Sequence, residues 1–365
     1  MTAWWPVRVI VLALGGVAVL GAVRVLRRPA SPVVRTLAVT AAVLLALLTI
    51  GGVVNAHYAY IPTLGVALGD DPPLSSVDAD DGRIPAKGQV VPLTVPPTAS
   101  SFSARQAQVY LPPAWFATRR PALPVVMLMH GVPGDPSDWA DGGEASAAAD
   151  AWAAQHRGVA PVLVMPDING SLTADTECVD SPAGNAETYL TVDVPAAVQQ
   201  QFGTTPPGRS WAIAGLSEGG ACAIMLALRH PDLFSTFGDF GGLSGPRVGE
   251  SDTDTDPTVA ELFGGSRQEF AAHEPADLLA TGSPAFRNLG GWFEVGSDDG
   301  DPLAAAQKLA PLAAAAGSST CLVVVPDGGH TFDVWSAAFR HSLPWMAARL
   351  ELVPPTPQMT AGCQN

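Results

Sequence analysis

The chain has 365 residues, 47% of them hydrophobic, with 19 Lys and Arg against 34 Asp and Glu and a net charge of −15. That length and apolar content fit one large domain with additional segments. The first 54 residues hold five Arg and no acid, leaving 14 basic against 34 acidic side chains, a net charge of −20, in the remainder; so acidic a surface argues against nucleic acid as a partner.

Two apolar segments open the chain. Residues 9–23 are uncharged and are extended by Trp4, Trp5, Val25 and Leu26 to membrane-spanning length; residues 36–54 form a second uncharged run. Arg24, Arg27, Arg28 and Arg35 lie between them. The positive-inside rule puts this Arg-rich hinge in the cytoplasm and everything after Asn55 outside. A removable signal needs one apolar core and a small-residue cleavage site, so two segments fit a retained hairpin better. The expectation is an anchor over 1–54, a solvated Asp-, Pro- and Gly-rich linker over 55–87, a catalytic domain over 88–353 and a tail over 354–365. The anchor places the protein at the cell membrane with its domain extracytoplasmic.

Within the domain, 89–95 and 106–111 read as edge strands. Residues 123–129 are wholly apolar and read as a strand buried on both faces, followed by His130-Gly131-Val132-Pro133-Gly134. Residues 159–165 give another strand, stopped by Pro166-Asp167, and 189–202 a helix. Residues 211–216 read as a buried strand and 218–229 as a helix. Strands at 234–240, 292–295 and 322–325 follow, with helices at 302–316 and 334–350. This alternation predicts an α/β fold whose sheet is mostly parallel with helices on both faces.

The most informative stretch is Gly215-Leu216-Ser217-Glu218-Gly219, a G-x-S-x-G pattern between an apolar strand and a helix. In that setting a serine sits on a tight, strained turn, and Gly215 and Gly219 are needed where a Cβ would collide. The hydroxyl can attack a carbonyl, and the oxyanion forms near the N–H of Glu218. The His130-Gly131 turn would supply a second N–H, placed at Val132, with His130 as an orienting group. Past later strand ends lie an acidic loop, Gly296-Ser297-Asp298-Asp299-Gly300-Asp301, and His330 in Gly328-Gly329-His330. His330 alone completes the order Ser…Asp…His. Asp299 is preferred over the adjacent Asp298 as the acid that orients it, and Asp301 is assigned to capping the helix at Pro302.

Such chemistry needs no metal or organic cofactor. Asp252-Thr253-Asp254-Thr255-Asp256 resembles the start of a calcium loop, but Pro257 and Phe263 stand where an EF-hand needs Gly and Glu. A solvated loop before a helix accounts for it better. Four cysteines, Cys178, Cys222, Cys321 and Cys363, allow three pairings, and an exported domain favours disulfides. Their placement favours Cys178–Cys222 and Cys321–Cys363, with buried thiols the alternative.

These blocks resemble the putative-esterase branch of the α/β-hydrolases, which includes esterase D and the secreted mycolyltransferases. The resemblance is carried by Glu187-Thr188-Tyr189-Leu190, Ala214-Gly215-Leu216-Ser217, His230-Pro231-Asp232-Leu233-Phe234 and Gly329-His330-Thr331-Phe332-Asp333-Val334-Trp335. It implies Ser217 as nucleophile, His330 as base, and Val132 with Glu218 as oxyanion donors. The chain departs from the mycolyltransferases in offering Asp as the acid and Glu218 after the serine. The expected activity is a serine esterase or acyltransferase on small-molecule, lipid or cell-envelope esters. A catalytically silent hydrolase fold that binds envelope polymer is the rival, and the ordered Ser, Asp and His argue against it.

Overall fold

The computed structural model describes residues 31–58, 84–249 and 251–354, together with five scattered positions between 16 and 24. The chain divides into two compact units, residues 1–64 and 65–365. In the first, helix α1 (Pro32–Tyr58) is 27 residues long. Its stretch Pro32–Gly52 is long and apolar enough to cross a membrane and is not buried within the unit. The expected first apolar helix falls almost wholly outside the described residues, as do most of the linker and nearly all of the tail.

The second unit is built on an eight-stranded sheet. Its strands are β1 (Gln89–Leu93), β2 (Ala107–Leu111), β3 (Val125–Met129), β4 (Val162–Met165), β5 (Gly208–Leu216), β6 (Phe234–Phe240), β7 (Gly290–Gly296) and β8 (Ser319–Val325). They lie in the order β1-β2-β4-β3-β5-β6-β7-β8. β1 and β2 pair antiparallel, β2 runs antiparallel to β4, and every later pairing is parallel. The sheet is thus α/β-hydrolase-like.

Sequence explains the order of burial. All five side chains of β3 and all four of β4 are buried, as their unbroken apolar runs require of strands covered on both faces. At roughly 1.5–3 kcal/mol for each large apolar side chain removed from water, this pair alone biases the middle of the sheet strongly. β1 alternates instead, with Val91 and Leu93 inward, and so sits at the edge. β8 forms the other edge, and its outer face carries the half-exposed Val324.

The helices are α2 (Ala145–Gln155), α3 (Val194–Phe202), α4 (Glu218–Arg229), α5 (Asp256–Leu262), α6 (Arg267–Ala271), α7 (Pro275–Ala280), α8 (Gly300–Ala315) and α9 (Phe332–Arg349). α5 is the helix expected after the acidic run at 252–256, whereas α2, α6 and α7 are absent from the sequence reading. They are Ala-rich or begin at Ser and Pro, and carry weak apolar periodicity. The helix read over 189–202 is α-helical only from Val194; Tyr189–Asp193 is a π turn that accommodates Pro195 in the first turn of α3. α4 is buried over eleven of its twelve residues. It packs under β5 and β6 and so holds the turn at Ser217 rigidly.

Cys178 and Cys222 form a disulfide across a separation of 44 residues. Cys321 is buried in β8, and its expected partner Cys363 lies outside the described residues. Closing a loop of that length restricts the unfolded chain. Replacing both Cys178 and Cys222 by Ser is expected to lower unfolding free energy by about 2–4 kcal/mol, measured by urea denaturation without reductant.

Candidate active site

Ser217 stands between the end of β5 and the first residue of α4. Its backbone has φ 55° and ψ −126°, a conformation that costs a non-glycine residue free energy and persists only when its surroundings fix it. Three hydrogen bonds do so. Its N–H donates to Phe240 O at the end of β6 (3.1 Å), and its carbonyl accepts from Gly220 and Ala221 N–H (2.8 and 3.3 Å). The turn is also pressed onto the end of β3. A Cβ on Gly219 would lie 2.4 Å from the carbonyl oxygens of Met129 and His130, and one on Gly215 2.2 Å from the Gly219 carbonyl. All the opposing atoms are backbone, so nothing can swing aside.

The structure brings three of the predicted residues together. Ser217 Oγ lies 2.9 Å from His330 Nε2, and His330 Nδ1 lies 2.9 Å from Asp299 Oδ2. Each arrives on a loop at the carboxyl end of a different strand, β5, β7 and β8, where open α/β sheets form their sites. Asp299 is buried and turned inward, whereas Asp298 is exposed and accepts from Ser297 Oγ. The helix cap differs from expectation. α8 starts at Gly300 with Asp299 in the capping position, so Asp301 sits inside the first turn. Asp299 does not cap with its side chain, because that carboxylate faces the imidazole. Trp335, one turn into α9, sets its ring edge-on to His330 at 4.8 Å between centroids. Gly241, at φ 71°, leaves room there: a Cβ would lie 3.2 Å from Asp299 Oδ2 and 3.1 Å from Trp335 Nε1.

The His130-Gly131 turn abuts the serine from the β3 side. A Cβ on Gly131 would lie 2.9 Å from Ser217 Cβ. His130 is fully buried. Its Nδ1 lies 2.7 Å from Gly131 O, and its Nε2 lies 3.2 Å from both Ile168 N and Asp167 Oδ1. With its carbonyl held by His130, the Gly131–Val132 peptide is fixed in one orientation. Behind it, Asp167 at the end of β4 accepts from Arg105 N–H and Nη2 (both 2.6 Å) and from Asn169 and Gly170 N–H.

Glu218, beside Ser217 at the start of α4, is buried. Its carboxylate accepts from Asn169 Nδ2 (2.7 Å) and from Glu177 N–H (3.2 Å). Burial first, then the charges of Glu218 and Asp175, push the Glu177 carboxyl well above the usual carboxylate range. Sequence reading missed Asn169, Glu177 and Trp335. The one available signal was Pro166-Asp167 at a strand end, where site loops begin.

The acidic run at 252–256 is taken up internally. Asp252 accepts from Ser244 N–H and Oγ and pairs with Arg247, while Asp256 opens α5 and pairs with Arg267.

A family model described as putative esterase matches residues 100–346. An uncharacterized protein of Corynebacterium glutamicum is 36% identical over 322 residues, spanning 84% of this chain and 74% of that protein. Among solved structures, a ferulic acid esterase aligns with a TM-score of 0.61 at 22% identity, covering 72% of this chain and 99% of that one. An S-formylglutathione hydrolase from Agrobacterium tumefaciens aligns with a TM-score of 0.59 at 21% identity, covering 73% and 98%. At these identities the two structures bear on the fold alone.

Two predictions rest on this geometry. Gly219→Ala drives a Cβ into two backbone carbonyls and is expected to cost about 3 kcal/mol or more in chemical denaturation, the upper range for overpacking. Asp239, at the foot of the nucleophile turn, is fully buried, accepts from Gly242 N–H, and its Oδ2 has no hydrogen-bond partner among the described residues. Burial raises its pKa to about 7, against the Gly242 bond that lowers it. Between the ordinary 3.8 and about 7 the folded state holds a proton that the unfolded chain has released, so this group makes stability fall as pH rises. Asp239→Asn removes that slope of about 1.4 kcal/mol per pH unit. The variant is expected to gain stability over the parent at pH 8 and to show no such gain at pH 4, measured by urea unfolding at both.

Proposed function

The chain belongs to the putative esterase family, and on that basis we propose that it is a serine hydrolase of carboxylic esters that uses Ser217, His330 and Asp299. The observation that carries this reading is the continuous chain of contacts from Ser217 Oγ through His330 to Asp299, each 2.9 Å. His330 Nε2 takes the serine proton as Oγ adds to the ester carbonyl. Asp299 accepts from Nδ1–H, which keeps Nε2 free to act as base and stabilises the imidazolium. The tetrahedral oxyanion is received by the N–H groups of Val132 and Glu218. His330 returns its proton to the leaving alcohol, and the acyl group stays on Ser217. Water then adds to the acyl carbonyl as His330 takes its proton; the Ser217 Oγ–acyl bond breaks, His330 returns the proton to Oγ, and the acid departs. An acceptor hydroxyl in place of water would give a new ester by the same steps, so product analysis with an added alcohol separates hydrolase from acyltransferase.

The location belongs to the same proposal. The apolar helix α1, the Arg-rich stretch before it and the disulfide together support a membrane-anchored enzyme whose domain lies outside the cytoplasm. Ester-bearing lipids or envelope polymers suit an enzyme tethered there.

The test uses the full chain in detergent. A fluorophosphonate is expected to add covalently at Ser217, located by peptide mass spectrometry, and a short nitrophenyl ester to be hydrolysed. Ser217→Ala and His330→Ala are each expected to lower kcat by about four orders of magnitude or more. An unlabelled Ser217 in a protein that still cleaves the ester would refute the assignment.

A further inference from the structure

The loop that follows β4 leaves the sheet at Asp167 and reaches the nucleophile helix at Cys178. It grips the first turns of α4 at three points. Asn169 Nδ2 donates to Glu218 Oε2 (2.7 Å), Glu177 N–H donates to Glu218 Oε1 (3.2 Å), and Cys178 is bonded to Cys222, four residues after Glu218. The loop is also closed on itself. Asn169 Oδ1 accepts from Thr176 N–H (2.9 Å), Thr176 Oγ1 donates to Ile168 O (2.7 Å), and Cys178 N–H donates back to Thr176 Oγ1 (3.1 Å).

Two features separate this from ordinary packing. Glu177 and Cys178 both have positive φ, 50° and 54°, which side-chain-bearing residues adopt only where neighbours hold them. And a carboxylate at the start of a helix usually satisfies itself with water, whereas Glu218 is buried and both of its oxygens go to one loop. Burying that charge is unfavourable unless it is hydrogen-bonded, so the loop and the helix turn are held in a single arrangement. The backbone N–H of the same residue is the oxyanion donor assigned above.

We propose that Asn169 is a positioning residue for that donor. By holding one oxygen of Glu218 while the Glu177 N–H holds the other, it fixes the first turn of α4, and with it the Glu218 N–H, in the direction a developing oxyanion requires. This deepens the esterase reading and rests on it. Asn169 touches no reacting atom; it acts through Glu218.

Asn169→Asp tests this with one atom changed in kind. It keeps an acceptor for Thr176 N–H and replaces the donor to Glu218 by a second carboxylate oxygen. With rates expressed per Ser217 titrated by fluorophosphonate, kcat for a nitrophenyl ester is expected to fall roughly tenfold or more, with KM changed less than about twofold. The rate constant for labelling Ser217 should fall in parallel, because phosphonylation also builds charge in the oxyanion site. Glu218→Gln breaks the same contact from the other side and is expected to lose kcat alike. The double variant, Asn169→Asp with Glu218→Gln, restores a donor opposite an acceptor and leaves the bond from Glu177 N–H in place. Its kcat is expected to return to within about threefold of the parent. Single variants with parental kcat, or a double variant no better than the worse single, would overturn the proposal. A parent chain that neither hydrolyses the ester nor labels at Ser217 would instead overturn the esterase reading, before any variant is compared.

Discussion

The structure depends on one close approach: the turn after β5 laid against the end of β3 with no side chain between them. Gly215, Gly219 and Gly131 are the residues that permit it, and each would place a Cβ 2.2–2.9 Å from a neighbouring atom. Because the chains touch there, Ser217 is forced into a backbone conformation it would not otherwise adopt, and its hydroxyl is lifted clear of the sheet. The His130-Gly131 turn, brought up by β3, becomes the other wall of the same site. Strain at the serine is thus held by two central strands, the fully buried β3 and the buried stretch Trp211–Leu216 of β5.

Much of this was legible in the residues. Unbroken apolar runs marked β3 and β4, the two Gly around Ser217 marked the turn, and the acid and the imidazole sat past later strand ends. Those signals are local, and local rules read them. The choice between Asp298 and Asp299 was not local: it turns on which carboxylate faces inward once α8 begins, two residues earlier than Pro302 led one to expect. Asn169 and Glu177 left no trace in the pattern, because an amide and a backbone N–H become important only when a loop folds onto a helix. Two of the short helices between β6 and β7, α6 and α7, were missed for a related reason. Each is too brief to show a period, and each is stabilised by packing and by Pro or Ser at its start.

Charge is distributed unevenly around the serine. Asp299 faces an imidazole and Asp167 faces a guanidinium, so both acids have a cationic or polar partner. Glu177, Glu218 and Asp239 instead lie buried, Glu218 accepting from the Asn169 amide and from Glu177 N–H, and Asp239 from Gly242 N–H. An ionised group so placed holds its neighbours tightly, and a neutral one saves the cost of desolvation. Burial and the nearby charges of Glu218 and Asp175 raise the Glu177 carboxyl pKa beside a Glu218 that accepts two hydrogen bonds.

The connection 241–289 leaves β6 and returns as β7, its immediate parallel neighbour. Whatever its length, the two strands meet in the same register, so the sheet does not feel what lies between. Ser217, Asp299 and His330 all follow strand ends outside that excursion. Change within α5–α7 can therefore leave the three side chains on their strand ends, provided it keeps the ties that bind the excursion to α4, such as Arg229 Nη1 to Ala272 O.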